Sequence, residues 1–418
     1  MKNIKYAVIF LLLSATVQAQ NNNMLDIEIG QMLMIGLPKA EVDQGVLADV
    51  KSGKVGSILI FEKNIPKSPA SFAALKKIIW TYQKAASIPL IVSIDQEGGR
   101  VNRLKDKYGF PRSITAQEMG RASTLDSVKF YAEATASNLA GLGINVNFAP
   151  VVDVAVNKEN TVIVKVGRSF SANPDSVALM AEQFIKPHRK FGVITVLKHF
   201  PGHGSSQTDT HLGIADVTKT WTDSELIPYR RLIGNGSVDA IMSAHIVNRN
   251  LDPKGYPGTL SARMIDSLLR KQMNYDGVVF SDDMQMHAIA KEYGLEESIK
   301  LAINAGVDIL CFSNNIQGSE ERTIDKVHAI IKSLVEHGYV NRDRIDQSFD
   351  RIVKMKLRLS NTTEENLRKE LLDTRVELEK AKKAAEIRQE IKEIQPAVVE
   401  PPEPEEKESK KKKRKKKS

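Results

Sequence analysis

Short apolar runs alternate with longer amphipathic stretches along most of the chain. The runs are rich in β-branched residues and end in polar residues, which is typical of buried strands. The stretches between them repeat apolar residues at helical spacing. We predict strands at Met32–Leu37, Val55–Phe61, Pro89–Asp95, Ile144–Pro150, Gly192–His199, Ala240–His245, Gly277–Asp282 and Asp308–Phe312. We predict helices at Pro69–Ala86, Ala116–Gly141, Pro174–Phe191, Thr222–Gly234, Ala262–Met273, Met286–Ala305, Glu320–His337 and Arg342–Leu359.

This alternation predicts an α/β fold, a (β/α)8 barrel. A doubly wound open sheet is the alternative. Polar residues stand at or just past the C-terminal ends of predicted strands, at Asp95, Lys198, His199, His245 and Asp282. All strand ends of that kind open on one face of a barrel, whereas an open sheet brings only a few together. The polar residues therefore favour the barrel.

The segment Lys198–His211, KHFPGHGSSQTDTH, concentrates titratable side chains at the end of a predicted strand and in the residues that follow it. Its proline and glycines extend neither a helix nor a sheet comfortably, so we expect a long loop. Asp209 and His211 are two residues apart, and a carboxylate bound to an imidazole raises the pKa of that imidazole. Such a histidine can donate a proton and take it back. A purely structural Asp–His pair is the alternative.

A metal site in this loop would use the side chains of His199, His203, Asp209 and His211. Their spacings match no metal-binding signature, so we expect neither a metal nor another cofactor. The doublet Asp282-Asp283 could bind Mg²⁺, but the sequence offers no partner carboxylate cluster or phosphate loop for it.

Two further strand ends contain candidate catalytic or binding residues. A carboxylate at Asp282 can attack an electrophilic carbon or hold a cation, whereas its neighbour Asp283 is expected to be structural. In the motif DQEGGRVNR, Asp95 can accept hydrogen bonds from sugar hydroxyls, and an arginine can hold a carboxylate, an acetamide or hydroxyls. A surface ion pair is the alternative there. Arg168, in GRSF, is by itself more typical of a solvated charge or an ion pair.

The two ends of the chain differ from its middle. Residues 1–19 resemble a secretory signal, with lysines first, then an apolar stretch, and small residues before Gln20. We therefore expect export to the periplasm or the medium; an uncleaved N-terminal helix is the alternative. We expect a barrel over residues 25–359, a charged helical extension over residues 360–395, and a disordered acidic and then lysine-rich tail over residues 396–418.

The tail explains the basic composition. The net charge is +9, but residues 410–417 are all lysine or arginine, so the rest of the chain is nearly neutral. The charge therefore gives no reason to expect that the main domain binds nucleic acid. The tail could contact anionic envelope surfaces electrostatically, or it could be a solubilising end.

Four motifs in order, DQEGGRVNR, GRSF, KHFPGHG…DTH and FSDDM, resemble those of family 3 glycoside hydrolases. The resemblance is greatest to bacterial β-N-acetylglucosaminidases that act on peptidoglycan fragments, and it covers about Leu25 to Leu359. It implies that Asp282 is the nucleophile and that His211 is the general acid/base, with Asp209 as its partner. It also implies that the sugar is bound by Asp95, Arg103, Arg168, Lys198 and His199.

These roles imply a carbohydrate substrate that contains N-acetylglucosamine, and hydrolysis with retained configuration. Two alternatives stay open. A histidine acid/base does not repel phosphate, so the protein could be a phosphorylase that yields a sugar 1-phosphate. It could also be a glycan-binding protein of the envelope without catalytic activity.

Overall fold

The computed structural model describes residues 24–68, 70–121, 125–207, 213–314 and 323–360, and within them eight parallel strands close into a barrel. Each strand pairs with its neighbours in sequence, and the first pairs with the last, Leu33 beside Leu310. The strands are β1 (Leu33–Gly36), β2 (Ser57–Ile60), β3 (Ile91–Ile94), β4 (Val146–Asn147), β5 (Ile194–Phe200), β6 (Ala240–Ser243), β7 (Val278–Asp283) and β8 (Ile309–Phe312).

Helices surround the barrel. The α-helices cover residues 24–31, Gln44–Lys51, Ser71–Ala85, Ala116–Arg121, Leu125–Leu142, Pro174–Lys190, Ile227–Gly234, His287–Tyr293, Leu295–Ala305, Thr323–Glu336 and Arg342–Ser360. A π-helix covers Arg263–Gln272, and 3-10 turns cover Glu62–Asn64, Asp106–Tyr108, Asp223–Leu226 and Gly258–Leu260. A separate two-stranded sheet pairs Ala215–Asp216 with Ile246–Val247. Within the described ranges, no helix combines the length and the apolar character that crossing a membrane requires.

The eight predicted strands are confirmed, and the open-sheet alternative is wrong. The pattern did not predict the helix Gln44–Lys51, which is only two turns long and has a glycine in its first turn. Asp43 caps that helix by accepting a hydrogen bond from the backbone N–H of Val46. The segment predicted as an ordinary helix at Ala262–Met273 contains the π-helix. The predicted signal, the charged extension after Ser360 and the tail lie outside the described residues.

Burial explains why the strands are so uniformly apolar. Every residue of β5 is buried, because helices cover the outer face of the barrel and side chains fill its interior. In the core the rings of Phe148 and Phe280 pack edge to face, with their centroids 5.4 Å apart.

A buried ion cluster joins the last helix to the N-terminal end of the barrel. Asp308, directly before β8, accepts hydrogen bonds from Arg270 Nη2 at 2.6 Å and from Arg344 Nη2 at 2.8 Å. The hydroxyl of Ser348 and the backbone N–H of Val279 also donate to this carboxylate, each at 2.9 Å. Its hydrogen-bonding capacity is therefore fully used by the protein itself.

Candidate active site

A pocket of about 310 Å³ opens at the C-terminal ends of the strands. Six of the predicted site residues line it: Asp95, Arg103, Arg168, Lys198, His199 and Asp282. Asp95 directly follows β3, Lys198 and His199 are near the end of β5, and Asp282 is the penultimate residue of β7. Closure of the barrel thus brings together side chains that are up to 187 positions apart in the chain.

Lys198 is the centre of the charge cluster on one wall of the pocket. Its Nζ lies 2.7 Å from Asp95 Oδ1 and 2.7 Å from Glu97 Oε1. Arg168 donates two hydrogen bonds to Glu97, at 2.7 and 2.8 Å, and Arg103 Nη2 lies 3.2 Å from Asp95 Oδ2. Of the two alternatives for Arg168, the solvated charge is wrong and the ion pair is confirmed, because this side chain is largely buried and pairs with Glu97.

The two carboxylates of this cluster stay ionised. Burial acts to raise the pKa of Glu97, but Arg168 and Lys198 outweigh it and lower that pKa to about 2. Burial likewise acts against ionisation of Asp95, and Lys198 and Arg103 hold the pKa of Asp95 below its usual value. The side chain of Glu97 is 5 % exposed and that of Asp95 is 16 % exposed, so Asp95 is the carboxylate that a ligand in the pocket can reach.

A second buried carboxylate, Asp153, orients His199. Its Oδ2 lies 2.7 Å from His199 Nδ1, and Arg168 Nη2 lies 3.2 Å from His199 Nε2. Because the carboxylate only accepts and the guanidinium only donates, these partners assign the hydrogen to Nδ1. Burial acts to raise the pKa of Asp153, but the interaction with His199 outweighs burial and lowers it.

The two aspartates at the end of β7 differ in their surroundings. Asp282 accepts a hydrogen bond from the backbone N–H of Asp283 at 2.8 Å and lines the pocket. Asp283 also borders the pocket, but it accepts hydrogen bonds from Ser313 and from the backbone N–H of Gln285, and burial raises its pKa. These contacts agree with a structural role for Asp283.

His245 also stands near a strand end, but it is not among the residues that line the pocket. Its buried ring contacts Thr259 Oγ1 at 2.8 Å and the backbone carbonyl of Asp283 at 2.9 Å. Asp209 and His211 lie outside the described residues. Within the described residues, no group of three or more His, Cys, Asp or Glu side chains is arranged to hold a metal ion.

Sequence reasoning missed Glu97 and Asp153 as parts of the site. The sequence did contain a pattern that could have predicted Glu97. Glu97 is two residues after Asp95, and an extended chain directs the side chains at such positions to the same side. Asp153 had no such pattern beyond its position in the loop after β4, since its contact with His199 joins residues 46 positions apart.

Known proteins resemble the chain over this whole region. The family described as "Glycosyl hydrolase family 3 N terminal domain" matches residues 24–355. The chain is 32% identical to a β-hexosaminidase of Tolumonas auensis over 290 residues, which are 69% of this chain and 84% of the relative. It is 31% identical to a β-hexosaminidase of Shewanella frigidimarina over 293 residues, which are 68% and 83% of the two chains.

Two solved structures have the same architecture. A family 3 β-N-acetylglucosaminidase from Paenibacillus sp. superposes with a TM-score of 0.73 at 33% identity, over 80% of this chain and 62% of that one. A β-N-acetylhexosaminidase from Beutenbergia cavernae superposes with a TM-score of 0.70 at 27% identity, over 79% of this chain and 98% of that one.

Proposed function

The chain belongs to glycosyl hydrolase family 3 and is a glycoside hydrolase, and from this premise we propose a retaining exo-β-N-acetylhexosaminidase. The proposed reaction releases terminal β-linked N-acetylglucosamine from peptidoglycan fragments or related glycans. One observation carries the proposal: Asp282 lines the same pocket as Asp95, Lys198 and Arg168. Glu97, which does not line the pocket, pairs with Lys198 and Arg168. The names of the relatives support the choice of sugar.

In this proposal Asp282 attacks the anomeric carbon and forms a covalent glycosyl ester with inverted configuration. His211, oriented by Asp209, protonates the departing glycosidic oxygen. It then takes a proton from the water that attacks the ester, and this second inversion restores the original configuration.

The cluster around Lys198 suits recognition of a single sugar. Asp95 can accept hydrogen bonds from hydroxyls, while Glu97 fixes the positions of Lys198 and Arg168 before a ligand arrives. The pocket volume of about 310 Å³ is at the small end of the range for ligand sites, roughly 300–1,000 Å³. A site of this size favours one terminal residue over an internal stretch of a polysaccharide.

The test is hydrolysis of a chromogenic β-N-acetylglucosaminide. We expect Asp282→Asn and Asp282→Ala to lower kcat by about 10³-fold or more, because loss of a nucleophile removes the covalent route. His211→Ala should slow hydrolysis of the ester more than its formation, because an activated aryl group departs with little protonation. The ester should then accumulate, and mass spectrometry would detect it as one added sugar on the peptide containing Asp282. Asp266→Asn removes an exposed carboxylate elsewhere and should change nothing. Full activity in both Asp282 variants would refute the assignment.

The same assay separates the alternatives. A phosphorylase would release a sugar 1-phosphate only when phosphate is present, whereas a hydrolase releases free N-acetylglucosamine with or without it. A glycan-binding protein would bind the sugar without turnover. Product analysis on purified peptidoglycan fragments would then identify the natural linkage.

We also propose that the protein is exported after removal of residues 1–19. The mature protein should then begin at Gln20, and its activity should be found in the periplasmic fraction or the medium. Activity confined to the cytoplasm, in a chain that still carries Met1, would refute this. Deletion of residues 408–418 should leave hydrolysis of small substrates intact and weaken only salt-sensitive binding to anionic surfaces.

A further inference from the structure

A buried carboxyl group, Glu225, lies behind the segment that leads to the proposed acid/base. It belongs to the 3-10 turn Asp223–Leu226, and it is 1 % exposed. Its Oε2 accepts a hydrogen bond from the backbone N–H of Gly204 at 2.8 Å. Gly202 packs so closely on it that a Cβ at position 202 would lie 2.6 Å from Glu225 Cβ. The carboxyl group thus contacts the backbone of a segment about 20 positions earlier in the chain.

The neighbouring backbone N–H in that segment is bound by Asp153. Asp153 Oδ1 accepts a hydrogen bond from His203 N at 2.7 Å. Two buried carboxyl groups from different elements therefore bind two consecutive N–H groups, those of His203 and Gly204. Burial keeps both contacts away from competing water, so each constrains the backbone more than a surface contact would.

Other side chains fix the same segment, residues 201–206, from the remaining directions. Asn160 Nδ2 donates to the carbonyl of His203 at 2.8 Å, and Asn157 Nδ2 donates to the carbonyl of Ser206 at 2.9 Å. Trp221 Nε1 donates to the carbonyl of Pro201 at 3.2 Å. These contacts fix residues 201–206, and Asp209 and His211 come after this segment in the sequence.

We propose that Glu225 is a positioning residue for the general acid/base: it fixes the Gly202–Gly204 backbone and so controls where the following histidine can act. This inference rests on the proposed function, because it takes His211 as the acid/base. Asp153 has a second task, since it also binds the ring of His199 in the pocket. Glu225 is not among the residues that line the pocket, so it serves the loop and not the sugar site.

The charge on Glu225 matters for this task. A carboxylate binds an N–H more strongly than a neutral carboxyl or an amide does. Burial raises the pKa of Glu225 to about 7, and Asp153 acts in the same direction. Glu225→Gln keeps the shape and the acceptor oxygen but cannot ionise. Above pH 7, where Glu225 is mostly ionised, it therefore weakens the contact with Gly204 without opening a cavity.

The experiment compares substrates that differ only in their leaving group. A 2,4-dinitrophenyl β-N-acetylglucosaminide departs without protonation, whereas the phenyl glycoside needs the acid. At pH 8, where Glu225 is ionised, we expect Glu225→Gln to lower kcat/KM for the phenyl glycoside by about 10- to 100-fold, because misplaced catalytic groups cost up to about 10²-fold. The dinitrophenyl glycoside should lose less than about threefold, and the inhibition constant of N-acetylglucosamine should not change.

Two variants serve as comparisons. Asp223→Asn removes an exposed carboxylate from the same turn, one that pairs only with Arg230 among the described residues, and it should leave both substrates unaffected. Asp153→Asn should weaken hydrolysis of both substrates and also the binding of N-acetylglucosamine, because it releases His199 as well. If Glu225→Gln does not fold, Trp221→Phe replaces it, since that change removes another contact with the same segment.

Equal losses on the two substrates, or no loss on either, would overturn the proposal. A wild-type protein without activity on any β-N-acetylglucosaminide would instead refute the proposed function. The two failures are therefore distinguishable.

Discussion

The two ends of the barrel each bury an aspartate among cations, yet they serve different purposes. Asp308, at the N-terminal end, receives hydrogen bonds from three arginines, a hydroxyl and a backbone N–H, and its side chain is fully buried. Asp95, at the C-terminal end, contacts Lys198 and Arg103 and is partly exposed to the pocket. Cations lower the pKa of both carboxyl groups against the effect of burial.

A lowered pKa therefore does not identify an active site in this protein. The two aspartates differ in whether their carboxylate oxygens can accept a further hydrogen bond from a ligand in a cavity. The carboxylate of Asp308 is saturated by the chain, so it can only stabilise the fold. That of Asp95 can still accept a hydrogen bond from a ligand. The next two predictions test this comparison, and a third tests the titration of the buried carboxyl group of Glu225.

The largest effect is expected at the N-terminal end. Asp308→Asn removes the counter-charge of buried arginines, and loss of one partner from a buried ion pair typically costs about 3–5 kcal/mol. We expect the free energy of unfolding to fall by about that amount, as measured by denaturant unfolding, while kcat/KM of the folded fraction is unchanged.

The matched control for this change is Asp276→Asn. Asp276 pairs with Arg351, which also contacts Asp308, but its own side chain is 70% exposed. Loss of that surface pair should cost no more than about 1 kcal/mol. Equal losses in the two variants would contradict the distinction between the buried cluster and the surface.

A change at the C-terminal end should lower activity more than it lowers stability. Asp95→Asn leaves Lys198 paired with Glu97, so the stability loss should be clearly smaller than for Asp308→Asn. It removes a charged acceptor for sugar hydroxyls, and we expect kcat/KM to fall by about 10²-fold. Asp106→Asn, on the exposed part of the same loop, should stay within about twofold. A larger effect of Asp95→Asn on stability than on activity would contradict the comparison.

The smallest effect concerns pH and stability at Glu225. Its pKa is raised from 4.5 to about 7 in the folded protein, so between these values the folded state binds more protons than the unfolded state. The contribution of Glu225 to stability is therefore complete below pH 4.5 and declines as the pH rises towards 7. Glutamine at position 225 does not titrate, so the stability of wild type relative to Glu225→Gln should fall by about 1.5 kcal/mol between pH 5.5 and 7.

Thermal unfolding of the two proteins across that pH range is the measurement. Asp223→Asn is again the matched control, because it removes a carboxylate from the same turn at an exposed position. A constant difference between wild type and Glu225→Gln across the range would show that Glu225 does not titrate there.

Sequence reasoning reached the strands because their signal is local. A strand buried on both faces must be apolar along its whole length, as β5 is, and the helices that cover the barrel must be apolar on one side. The position of Asp95, Lys198 and Asp282 at strand ends could be read in the same way. The helix Gln44–Lys51 was missed because two turns are too short to establish a period.

The sequence by itself determined the barrel and the set of polar residues at the C-terminal ends of its strands, because apolar periodicity is a pattern among neighbouring residues. Only the tertiary structure decided which of those residues meet. Lys198 reaches Asp95 across 103 positions, Arg168 reaches Glu97 across 71, and Glu225 reaches Gly204 across 21. These contacts exist because the sheet closes and brings distant loops to one face, and no local pattern encodes the distance between two loops.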